Sequence, residues 1–86
     1  MKLDMFNREI HVGNLFIKSS AYSAEPGIYI GNNCWYNLKF GSVRANGIPR
    51  KYALNNVGTS RLIKIDKSML TGDYLKKYEQ WIKMVK

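Results

Sequence analysis

Cys34-Trp35-Tyr36-Asn37-Leu38-Lys39-Phe40 reads with a period of two: Cys34, Tyr36, Leu38 and Phe40 fall on one face, Trp35, Asn37 and Lys39 on the other. That alternation is the mark of a β-strand, and it sets the reading of the segments on either side. Downstream, Gly41 breaks the period, because Val43 and Ala45 now carry the apolar parity. A bulge or sharp bend at Gly41-Ser42 returns both sets to one face. Asn46-Gly47 then signals a tight hairpin, since a type I′ turn needs positive φ at both central residues; it joins residues 42–45 to 48–54. Residues 55–60 read as loop and 61–66 as a short last strand carrying Leu62, Ile63 and Ile65.

Upstream, residues 10–18 form a strand candidate interrupted by Gly13-Asn14. Glu25-Pro26-Gly27 reads as a turn, because proline presets φ at one turn position and glycine tolerates positive φ at the next. Residues 28–30 begin the next strand, and Gly31-Asn32-Asn33 interrupts it as a turn or a bulge. Eight Asn and seven Gly, most of them between apolar runs, suit short strands joined by tight turns. After residue 71 the period changes to that of a helix: Tyr74, Leu75, Tyr78, Trp81, Ile82 and Val85 share one side, Lys76, Lys77, Gln80 and Lys83 the other. Thr71 or Asp73 can cap its start. The expected fold is mostly β (α+β): one domain over residues 1–86, with a five-stranded antiparallel barrel or curled sheet over 8–67. An amphipathic helix over 72–86 packs on it, its aromatic face covering an opening or edge of the sheet.

Charge is distributed unevenly. The chain carries a net +8, and residues 39–67 hold seven cations against Asp66 alone, while residues 1–38 balance to zero. A field of one sign on a small body selects polyanions, acidic proteins or anionic lipid. No apolar run approaches the roughly 18 residues of a membrane span, and the first six residues lack the apolar centre of a signal peptide. The single Cys34 cannot form an internal disulfide, which suits a reducing compartment, so a cytoplasmic location and no membrane association are expected. Catalysis is not expected, because one His, one Cys and six scattered carboxylates offer no paired acid and base. His11 reads as a strand-face imidazole and Cys34 as a small buried hydrophobe. No zinc site, nucleotide-binding loop or other cofactor motif is present.

The run Asp4-Met5-Phe6-Asn7-Arg8-Glu9-Ile10-His11-Val12-Gly13-Asn14-Leu15-Phe16-Ile17, with Ser60-Arg61-Leu62-Ile63-Lys64-Ile65-Asp66, resembles the first and last strands of small SH3-like, KOW-type barrel proteins found among accessory genes of large tailed bacteriophages. In that pattern Gly stands where this chain has Asn7, and Asp where it has Asn14. The resemblance implies a closed SH3-like barrel and, for a phage protein, the host cytoplasm.

The basic stretch is the constellation with functional content. Trp35, Lys39, Arg44, Arg50, Lys51, Arg61, Lys64 and Lys67 are the candidate nucleic-acid-binding residues, gathered on a shared outer wall. An exposed indole at Trp35 beside lysine and arginine would stack on bases while the cations hold phosphates. The competing reading is a protein-binding modulator that docks on an acidic host protein, with Trp35, Tyr52 or Trp81 as anchors. DNA, RNA and protein targets stay open at this level, as does a monomer against a small homo-oligomer. The wide spacing of the cations argues against a disordered basic arm.

Overall fold

The computed structural model describes residues 2–41, 43 and 47–85. Its main element is a five-stranded antiparallel sheet made of β3 (Leu15–Ser19), β4 (Ala24–Gly31), β5 (Cys34–Asn37), β6 (Tyr52–Ala53) and β7 (Leu62–Ile65), in the order β6-β5-β4-β3-β7. A separate ribbon pairs β1 (Lys2–Leu3) with β2 (Glu9–Ile10). Helix α1 (Gly72–Trp81) follows the sheet and tightens into a 3₁₀ turn at Ile82–Met84. The mostly-β class with one C-terminal helix is the one expected. The sheet, however, ends in two edges, β6 and β7, and is not closed into a barrel.

Alternation along the strands feeds two cores, one on each face. Leu15, Ile28, Tyr36 and Leu38 point to the face that α1 covers, where they meet Leu70 and Trp81. Phe16, Trp35 and Leu62 point to the opposite face and meet Ile10 from β2 and Leu54 from the loop after β6. Burying each of these large side chains contributes about 1.5–3 kcal/mol, so neither face is dispensable in so small a chain. The helix thus covers a broad sheet face. Its N-cap position is Thr71, with no side-chain cap bond, and Asp73 sits in the first turn where the helix dipole favours an acid.

Several local expectations are corrected. Glu25-Pro26-Gly27 is no turn but the middle of β4. Pro26 is tolerated there because its carbonyl accepts the Leu38 N–H, just beyond the last residue of β5. In extended chain the N–H and C=O of one residue point the same way, so the missing donor lies on the Leu38 side, past the end of β5, where the Leu38 carbonyl accepts the Lys77 ammonium instead (3.2 Å). Gly27 is small to make room for Trp35: an added Cβ would sit 2.0 Å from the indole ring. The turn lies instead at Ser20–Ser23, closed by the Ser20 N–H to Ser23 carbonyl bond (2.8 Å) and by serine hydroxyls. Residues 10–18 split into β2 and β3, since His11 donates its backbone N–H to Asn14 Oδ1 (2.8 Å) and Gly13 takes φ 93°. Gly31-Asn32-Asn33 is both a turn and a bulge: Asn32 and Asn33 have φ 52° and 60°, and the register shifts between Tyr29 and Gly31. β5 stops at Asn37, whose Oδ1 accepts the Lys39 and Phe40 N–H groups. Of the Asn46-Gly47 hairpin, an antiparallel bridge between Val43 and Pro49 is seen; Ser42, Arg44, Ala45 and Asn46 lie outside the described residues.

The N-terminal turn binds β7 along its outer side. Met5 donates its N–H to the Leu62 carbonyl (2.8 Å), and fully buried Asp4 accepts the Lys64 N–H on Oδ2 (2.9 Å). The same carboxylate takes the Phe6 and Arg8 amides on Oδ1 and the Arg8 guanidinium on Oδ2. Arg8 in turn donates to the Lys64 carbonyl (2.8 Å). Burial by itself would raise the Asp4 carboxyl, but the Lys64 N–H, the Arg8 guanidinium and the Arg8 and Phe6 amides outweigh it and hold the group well below the usual carboxylate range. Asn7 closes the turn at φ 61°, a conformation that Gly and Asn tolerate best.

Candidate functional site

The candidate cations do not share one wall. Arg50 and Lys51 lead into β6, and Lys39 follows β5 at the same end of the sheet; Arg61, Lys64 and Lys67 belong to β7 and its flanks. Four strand spacings separate the two edges, about 19 Å. Arg44 lies outside the described residues. Trp35 is withdrawn as a stacking platform, because only 2% of it is exposed. It packs 5.2 Å from Phe16 and 6.5 Å from Tyr52, between ring centroids, on the second core. Above it, Lys18 lies 5.7 Å from the ring and pairs with buried Glu25 (3.3 Å), which also accepts the Asn37 amide (2.7 Å). This cluster satisfies the buried polar groups of that face and offers none to a ligand.

At the β6 side, exposed aromatics and cations come together without Trp35. Lys39 Nζ stands 5.2 Å over the ring of Phe40, which is 59% exposed, and Arg50 lies 5.9 Å from the half-buried Tyr52 ring. Lys51 borders a shallow hollow with Ile30, Tyr36, Met84 and Val85.

At the β7 side there is a cleft of about 520 Å³. The β2–β3 turn supplies Gly13 and Asn14, the end of β7 supplies Lys64 and Ile65, the following turn Lys67 and Met69, and α1 contributes Tyr78, with Arg8 on the rim. Asp66 also lines it, but its carboxylate is occupied by the Lys67 N–H (2.9 Å) and the Ser68 hydroxyl (3.1 Å). Ion pairs consume Arg8 (to Asp4) and Lys18 (to Glu25), and His11 Nε2 lies 3.2 Å from a Glu9 carboxylate oxygen. Among the described residues, no carboxylate lies in ion-pair range of Lys39, Arg50, Lys51, Arg61, Lys64 or Lys67. Five of these six cations are exposed, and Lys64 is half-buried.

Arg8, Phe40 and Tyr78 were missed in the sequence reading. Arg8 sits in the charge-balanced first third, Phe40 shares strand parity with core residues, and Tyr78 shares the helix stripe with buried Trp81. Only the adjacency of Lys39 and Phe40 past the end of a strand carried a usable signal. Half-buried Cys34 places its Sγ 3.4 Å from the Asn32 carbonyl. Among the described residues, no helix is long and apolar enough to cross a membrane. Comparison with protein-family models, with curated proteins and with solved structures gives no match.

Proposed function

We propose that this chain is a small nucleic-acid-binding module that holds phosphates through the cations at its two sheet edges. The observation that carries the reading is that, among the described residues, Lys39, Arg50, Lys51, Arg61, Lys64 and Lys67 have no carboxylate in ion-pair range. Asp4 and Glu25 are buried against Arg8 and Lys18, and Asp66 caps its own turn. A cation with no internal partner keeps its full attraction for a phosphate, and the release of condensed counterions then drives binding. Exposed aromatics beside the cations, Phe40 with Lys39 and Phe6 with Arg8 (5.3 Å), take over the stacking role once assigned to Trp35.

A gel-shift series with single-stranded DNA, duplex DNA and RNA at two ionic strengths tests this. Binding at low salt that falls steeply as salt rises supports it, and no shift with any of the three refutes it. Docking on an acidic protein surface is the second reading, favoured by one observation: Phe6 (63% exposed) and Tyr22 (99%) are exposed rings, whereas of the anchors Trp35, Tyr52 and Trp81 both tryptophans are buried and Tyr52 is half-buried. A single dominant partner in an affinity pull-down, with no general affinity for nucleic acid, selects that reading.

A further inference from the structure

The β7 cleft differs from the open β6 edge in shape as well as in charge. Its volume of about 520 Å³ lies within the about 300–1,000 Å³ of small-ligand clefts, and it is lined by the β2–β3 turn, the end of β7 with the turn after it, and Tyr78 in the second half of α1. Lys64, Lys67 and Arg8 line it together with Asp66; among the described residues no carboxylate lies in ion-pair range of Lys64 or Lys67. Arg8 is held in place from behind by Asp4 and the Lys64 carbonyl, so it is positioned before any ligand arrives. Tyr78, Met69 and Asn14 line the same cleft, so an aromatic residue and a thioether stand in it beside the cations. Cations and an aromatic residue lining one cleft match a phosphate joined to a planar base.

We infer that this cleft seats one unpaired nucleotide, with its phosphate between Lys64 and Lys67 and its base against Tyr78. This rests on the nucleic-acid reading and narrows it. A base inside a duplex is stacked and paired on its inner edges and is not free to lie against Tyr78; a base in a single strand, or in a free nucleotide, is. The cleft therefore confers a preference for single strands, while Lys39, Arg50 and Lys51 on the other edge contribute attraction that does not distinguish strandedness.

The experiment follows backbone amide NMR shifts and binding isotherms of the intact chain with three probes: a 12-nucleotide single-stranded DNA, a 12-base-pair duplex and thymidine monophosphate. The single strand is expected to bind more tightly than the duplex and to shift the amides of Gly13, Asn14, Ile65 and Lys67. In the double variant Lys64→Ala and Lys67→Ala the single-strand affinity is expected to fall by about tenfold or more, removing the preference. The pair Arg50→Ala and Lys51→Ala is expected to weaken both polymers by similar factors and leave the preference intact. Shifts that map to the β6 edge alone, or a single-strand preference that survives loss of Lys64 and Lys67, overturn the inference. If the polymers fail to bind but thymidine monophosphate shifts the cleft amides in a Lys64- and Lys67-dependent way, the cleft stands with a free nucleotide as its ligand and the nucleic-acid reading falls. If both polymers bind with no shift in the cleft, the reverse holds.

Discussion

Gly27 and Trp35 show how one residue's absence of a side chain fixes another's place. The indole fills the space above Gly27 and closes the second core with Phe16, Leu54 and Leu62. Replacing Trp35 with alanine is expected to cost about 3–5 kcal/mol in stability, read as a lower denaturant midpoint. A surface stacking residue would leave that midpoint almost unmoved. Asp4 is the other decisive position. Its carboxyl is more acidic folded than unfolded, so its contribution is complete above the unfolded value of about 4 and drains away as pH falls toward the lower folded value. Chemical denaturation from pH 7 to pH 2 should show the native chain losing stability below about pH 4. Asp4→Asn should start lower at pH 7 and show a shallower acid loss; parallel curves for the two would remove Asp4 from this role.

At the level of elements, α1 is tied to the sheet through Trp81, whose ring meets Tyr36 edge-on at 6.1 Å, and through Lys77, which reaches the Leu38 carbonyl (3.2 Å). Ending the chain after Ser68 should uncover Leu15, Ile28, Tyr36 and Leu38 together, with dye binding to exposed apolar surface and a broad, low melting transition. A cooperative melt near that of the full chain would show that the helix is not a lid. The helix was legible in the sequence because its stripe runs over several turns, and β7 because Leu62, Ile63 and Ile65 form a compact apolar run before Asp66. Trp35 was not. Period two reports that two faces exist and is silent on whether the second meets water or the β2 ribbon, which arrives from residues far off in sequence. The Ser20–Ser23 turn went unseen for a different reason: hydroxyl groups close it, without the Gly or Pro that usually punctuates a chain. The cleft could not be read at all, since it exists only where three separate segments meet.

For the molecule as a whole, the separation of the cations into two edges has a measurable signature. A short single strand of four or five nucleotides can engage one edge only, so log affinity against log salt should have a slope of about −2. A strand long enough to pass both edges recruits up to six cations, and the slope should steepen to about −4. One slope at every length would mean that a single patch does all the binding. The bonds that Asp4, Met5 and Arg8 make along β7 carry a further consequence for a protein with this much charge and so little bulk. An unguarded outer strand is a template onto which another chain can add in register, and here the turn over residues 4–8 occupies the Leu62 carbonyl and the Lys64 N–H and carbonyl that templating needs. Acid that protonates Asp4, or a break near the N-terminus, would therefore do more than loosen the fold: it would turn a discrete particle into a seed for fibres.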